Sequence, residues 1–175
     1  MRTLLAVECE RNHYGIVALR KILEDFKLSP KKIYLERTIQ GDILVGRVTT
    51  REYGTTGGAS RVPKAHKTLA DRYLLEAALL DNRLFSRLLL AYDALLELDW
   101  VSESLISHAE TVISGSLVRS DEKDFFEEDH PAFSTEGYLE GFAEWGLEEL
   151  DEAYTAINAL YRACSGKTLE TKRYL

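Results

Sequence analysis

Cysteine is nearly missing from this chain. Cys9 and Cys164 are the only two in 175 residues, and they stand neither at metal-ligand spacing nor in a secretory framework. This argues against a disulfide-stapled fold and a cysteine-bound zinc module, and it predicts reduced thiols in a cytosolic compartment. Proline is scarce too, with Pro30 and Pro131 punctuating polar breaks. No apolar run approaches the roughly 18 residues of a membrane span. The short apolar run after Thr3 stops at Glu8 without a signal-peptide core, so no targeting to a membrane is expected. The string Gly-x-x-x-x-Gly-Lys-[Ser/Thr] does not occur, which excludes a Walker A loop. Neither cysteine has a placed base, so no catalytic triad is supported. No repeat of fixed period is visible.

What is present is an ordinary globular composition, 45% hydrophobic and 29% charged, enough for one compact domain without staples. The net charge of −7 is unevenly spread. Residues 47 to 72 carry six cations against two anions, whereas residues 121 to 152 carry thirteen acids against Lys123 alone. A basic stretch inside an acidic chain marks where an anionic partner would be held, while a general nucleic-acid coat is not expected.

Along the chain, "TLLAVECE" has strand character and "YGIVALRKILEDF" repeats Ile16, Leu19, Ile22, Leu23 and Phe26 at helical spacing. After Ser29-Pro30, "KKIYLERT" and "DILVGRVTT" read as a hairpin around Gly41. From about Lys64 the pattern is helical: Leu69, Tyr73, Leu74, Ala77, Leu80, Leu84, Leu88 and Tyr92 recur three or four apart, with Asp81-Asn82 as a kink or division. A further run ends near Gly115, a polar loop follows, and Ser134 starts a last helix that ends near Gly166. The predicted class is α+β, mostly α, with a small N-terminal β-α-β-β unit packed on a helical bundle. Its parts are the unit at 1–50, a glycine-containing basic loop at 51–63, the bundle at 64–166 and a frayed tail at 167–175.

Chemistry concentrates in the loop. Gly54, Gly57 and Gly58 free the backbone to turn its amides toward an anion, and Thr55, Thr56 and Ser60 add hydroxyls. Arg61, Lys64 and Lys67 supply positive charge, and the start of the following helix would add free amides. These nine residues are the candidate binding site for a phosphorylated small molecule, a nucleotide first of all. No metal site is expected: Glu127-x-x-His130 stands in a loop before Pro131, His13 suits a helix cap, and His66 lies beside the basic residues. Cofactors are otherwise open.

Gly54-Thr55-Thr56, Gly57-Gly58 and Arg61-Val62-Pro63-Lys64 resemble the ATP-binding loop of ATP:corrinoid adenosyltransferases of the propanediol-utilisation type. The resemblance implies a helical bundle, commonly trimeric, with ATP held by this loop and adenosyl transfer to a reduced corrinoid as the chemistry. The stretch corresponding to that family's opening Thr-Arg-Thr-Gly-Asp reads Thr49-Thr50-Arg51-Glu52-Tyr53 here. Val7-Glu8, closing a first strand before a helix, is similar to the opening of Toprim-type nucleases and primases, which would give Glu8 a role in magnesium-assisted phosphoryl chemistry. That family's later Asp-x-Asp is not found, since Asp93 is followed by Ala94 and Leu95.

Two functional expectations follow. One is nucleotide binding at Gly54 to Lys67, with transfer from ATP as its chemistry. The other is a non-enzymatic oligomeric adaptor or structural protein that assembles through residues 134–166, where Trp145, Tyr154 and Tyr161 widen the apolar stripe.

Overall fold

A computed structural model describes residues 1–28, 33–40, 43–50, 60–117 and 136–170, with side chains over 1–24, 27, 62–105 and 141–170. Four helices carry it: α1 (Arg2–Leu28), α2 (Thr68–Leu80), α3 (Asn82–Leu117) and α4 (Glu136–Ser165). Strands β1 (Ile33–Gln40) and β2 (Ile43–Thr50) pair antiparallel, Ile33 opposite Thr50 and Gln40 opposite Ile43, and the two-residue β3 (Ser60–Arg61) lies beside β2.

The class is a helical bundle, which corrects the expected α+β fold with a β-α-β-β unit. The first strand of that unit does not form. Residues 2 to 28 are one helix, and its buried positions Leu5, Cys9, Asn12, Ile16, Leu19 and Leu23 recur three or four apart from the first turn onward. "TLLAVECE" is too short an apolar run to separate strand from helix by periodicity, and no turn signal divides it from the helix that follows. Apart from Val62 and Leu169, every buried hydrophobic residue described lies on a helix.

By its internal contacts the chain divides into two units, residues 1–18, 64–100 and 148–175, and residues 19–63 and 101–147. The first contains α2 with parts of α1, α3 and α4. Leu5, Leu84, Leu88, Leu150 and Ile157 are its largest fully buried side chains. At the end of α2, Asp81 adopts extended backbone (φ −156°, ψ 93°) and caps α3, its Oδ1 accepting from the Arg83 and Leu84 amides at 3.1 Å each. The Leu84 amide and then the Arg2 guanidinium hold this carboxyl below the usual range. Arg2 donates to Asp81 Oδ2 at 2.6 Å and to the Ala163 carbonyl at 2.9 Å. One side chain thus ties the start of α1 to the α2–α3 corner and to the end of α4.

In the second unit, Gly146 of α4 lies against Leu23 of α1 and Val101 of α3. A Cβ at this position would stand 2.9 Å from Leu23 Cδ1 and 3.5 Å from Val101 Cγ1. Lys27 pairs with Glu144 at 2.9 Å, which lowers the glutamate's pKa. In the first unit, Gly166, at φ +71°, ends α4 in the left-handed conformation, its amide donating to the Arg162 carbonyl at 2.9 Å. The chain then turns back. The Leu169 amide donates to Asn158 Oδ1 at 2.9 Å, its carbonyl accepts from the Tyr154 hydroxyl at 3.2 Å, and its side chain is buried. Over 167–170 the tail is therefore docked rather than frayed.

Candidate functional site

Three side chains seat the segment that leads into α2. Asn12 is buried in α1, and its carboxamide pairs with the backbone of one residue, accepting from the His66 amide at 2.7 Å and donating to the His66 carbonyl at 2.6 Å. Asp99 of α3 accepts from the Ala65 amide at 2.9 Å through Oδ1 and from the Lys67 ammonium at 2.6 Å through Oδ2. Glu8, also buried, accepts from the Leu69 amide at 2.8 Å and the Ala70 amide at 2.7 Å, one per oxygen. A carboxylate at this place satisfies two amides that the first turn of α2 leaves free, and the helix dipole favours its charge.

This arrangement determines what the expected phosphate site has available. Gly54, Thr55, Thr56, Gly57 and Gly58 lie outside the described residues, as do the side chains of Ser60 and Arg61. Val62 is buried, Lys64 is exposed, and Lys67 is paired with Asp99. The Leu69 and Ala70 amides, which would have added to an anion cradle, already hold Glu8. Glu8 therefore has a structural task in a helix, and the strand-ending glutamate of a Toprim-type start is not formed. Sequence reading missed this clamp, because Glu8 and Asn12 are 54 to 62 positions from their partners.

His13, Cys9 and Cys164 are all set in helices, where burial governs their protonation. His13 is not a cap: it lies within α1, 7% exposed, its ring 5.6 Å from that of Tyr154, with Nε2 buried and without a hydrogen-bond partner. Burial holds its pKa below 6.5. Burial likewise pushes the Cys9 thiol up to about 12 and raises that of Cys164, so neither is a thiolate nucleophile at neutral pH. Among the described residues, no group of three or more His, Cys, Asp or Glu could hold a metal ion, and no helix is long and apolar enough to cross a membrane. Glu127 and His130 lie outside the described residues.

His13 has a measurable consequence. A base with a depressed folded-state pKa stabilises fully above its unfolded value and progressively less below it. Stability should therefore fall as pH drops from about 6.5, by up to about 1.4 kcal/mol per pH unit until the folded-state pKa is reached. In His13→Leu, which does not titrate, this fall should vanish, leaving the loss at lower pH to carboxylates such as Asp81 and Glu144. Thermal unfolding of both proteins between pH 7 and 5 reads the difference, and parallel curves would refute it.

The remaining features are surfaces. On α2, Ala70 and Ala77 are buried while Leu75, Leu79 and Leu80 are 80%, 86% and 70% exposed. The expected stripe through Leu80 to Leu84 is broken because Asp81 ends the helix and resets its phase. Between α3 and α4 within the first unit runs an open groove of about 630 Å³, its floor made by Ala94, Ala153, Ala156 and Ala159, with Leu90 alongside. The α4 aromatics expected to widen an oligomer interface have contacts inside the chain: Tyr154 with His13 and Leu169, Tyr161 with Glu10 at 2.9 Å, and Trp145 with Phe142. No family model, curated protein or solved structure matches this chain.

Proposed function

We propose that this chain is a non-enzymatic interaction protein that assembles with a second copy of itself through α2. The observation that carries the reading is the outward side of that helix, where Leu75 and Leu79 stand in water away from the buried Ala70 and Ala77, with Leu80 exposed on its flank. Covering a leucine is worth roughly 1.5–3 kcal/mol, so three on one short helix are a substantial reservoir of association energy. The face is also complementary to itself. Two antiparallel α2 helices related by a two-fold axis near residue 77 would place each Leu75 opposite the other copy's Leu79.

Sedimentation of the purified protein tests the proposal. The wild type should exceed the 19.9 kDa of one chain, and Leu75→Ser with Leu79→Ser should return it to that mass. Because both leucines are exposed, the helical signal should be preserved and the unfolding free energy of the monomer should change by no more than about 0.5 kcal/mol per substitution. A wild type that stays monomeric at high concentration overturns the reading. If ATP or another phosphorylated ligand then raises its melting temperature, the function returns to the loop from Gly54 to Lys67.

A further inference from the structure

The groove between α3 and α4 has a property that the α2 face lacks. Its walls carry Asp93 and Glu97 on α3 and Glu149 and Glu152 on α4, and none of these four carboxylates pairs with a cation among the described residues. Asp151 and Thr155 also line it. One cation stands near an end, where Arg87 donates to the Ala159 carbonyl at 3.4 Å. The alanine floor lets another backbone approach closely, because helix axes separate according to the side chains between them. Along the walls the acids are spaced by four and three residues, about 6 and 4.5 Å at the rise of an α-helix.

We infer that this groove binds a cationic amphipathic helix of another protein, with a narrow apolar stripe on the alanine floor and lysines or arginines against both walls. Charge selects this occupant. The face offered for self-association on α2 does not supply the cationic complement, since it carries Asp71 and Glu76 against Arg72 alone. A cationic helix brings the opposite sign, and its own three- and four-residue spacing matches that of the acids. The inference does not rest on assembly through α2, since a monomer carries the same groove.

The probe is a fluorescent synthetic peptide of about 15 residues, long enough to become helical. Alanine and leucine occupy one stripe and lysine flanks it; a scrambled peptide of the same composition serves as control. Anisotropy should show saturable binding that weakens with salt. Glu97→Lys with Glu152→Lys should weaken it roughly tenfold or more, since reversal turns two attractions into repulsions. Ala156→Leu, which fills the floor without changing charge, should weaken it also. Equal binding of the scrambled peptide would reduce the groove to a diffuse negative field and overturn the inference, as would indifference to all three substitutions. A shift of the wild-type oligomer to monomer on Glu97→Lys with Glu152→Lys would instead assign the groove to a second copy. Repeating the titration with Leu75→Ser and Leu79→Ser present separates the two surfaces: peptide binding persists there whether or not the chain self-associates.

Discussion

Replacing Gly146 with valine is expected to lower the unfolding free energy by about 3 kcal/mol, the upper part of the usual range for overfilling a packed interior. A first added carbon already meets Leu23 Cδ1 at 2.9 Å, and Leu23 is fully buried, so its end cannot swing into solvent. Valine adds two more carbons toward Leu23 and Val101. Gly146→Ala should be far milder, because the helix gains about 1 kcal/mol on losing a glycine, and only the end of one flexible side chain has to shift. Leu23→Ala alone should cost about 3 kcal/mol through the cavity it leaves. Combining it with Gly146→Val should cost at least 1 kcal/mol less than the two losses added, since the larger residue enters the space the smaller one vacates. Urea unfolding of the four variants checks this, and simple additivity would mean that the two positions do not share that space.

The second large effect is expected at Glu8. Glu8→Ala leaves the Leu69 and Ala70 amides without acceptors in a site where the carboxylate was 6% exposed, and each stranded buried donor costs about 1–3 kcal/mol. A total near 3 kcal/mol is expected, with Glu8→Gln losing about half because its amide keeps one oxygen acceptor. Asn12→Ala should be comparable, since it strands the His66 amide and carbonyl together. The direction discriminates between roles: removing a catalytic carboxylate commonly leaves stability unchanged or raises it. A Glu8→Ala protein as stable as the wild type would therefore revive an active-site role for this residue.

What could be read in advance divides along physical lines. The helices after residue 64 announce themselves by spacing, the division at Asp81 by a residue that caps better than it continues a helix, and the end of α4 by Gly166. "TLLAVECE" misleads because its apolar residues satisfy either period over so short a span. The surplus on α2 was visible in principle: Leu69, Leu74, Leu75, Leu79 and Leu80 are too many leucines for one stripe of 13 residues. The clamp was not visible. Nothing local marks Glu8, Asn12 or Asp99 as acceptors for backbone more than 30 residues away, and only the fold brings them to Ala65 through Ala70. The groove is likewise a product of two helices, its acids scattered through stretches that read as solvated faces.

The way α2 is held gives it a separate energetic identity. Ala70 and Ala77 are its only fully buried side chains, and much of its attachment is polar, through Glu8 at its start and the Arg2–Asp81 pair just beyond its end. α1, α3 and α4 instead each bury several leucines or isoleucines. Disrupting the polar anchors is therefore expected to let α2 open as a segment below the threshold for melting the whole, which amide exchange would read. A second copy bound to its leucines would close that segment, turning association into a means of setting its opening frequency.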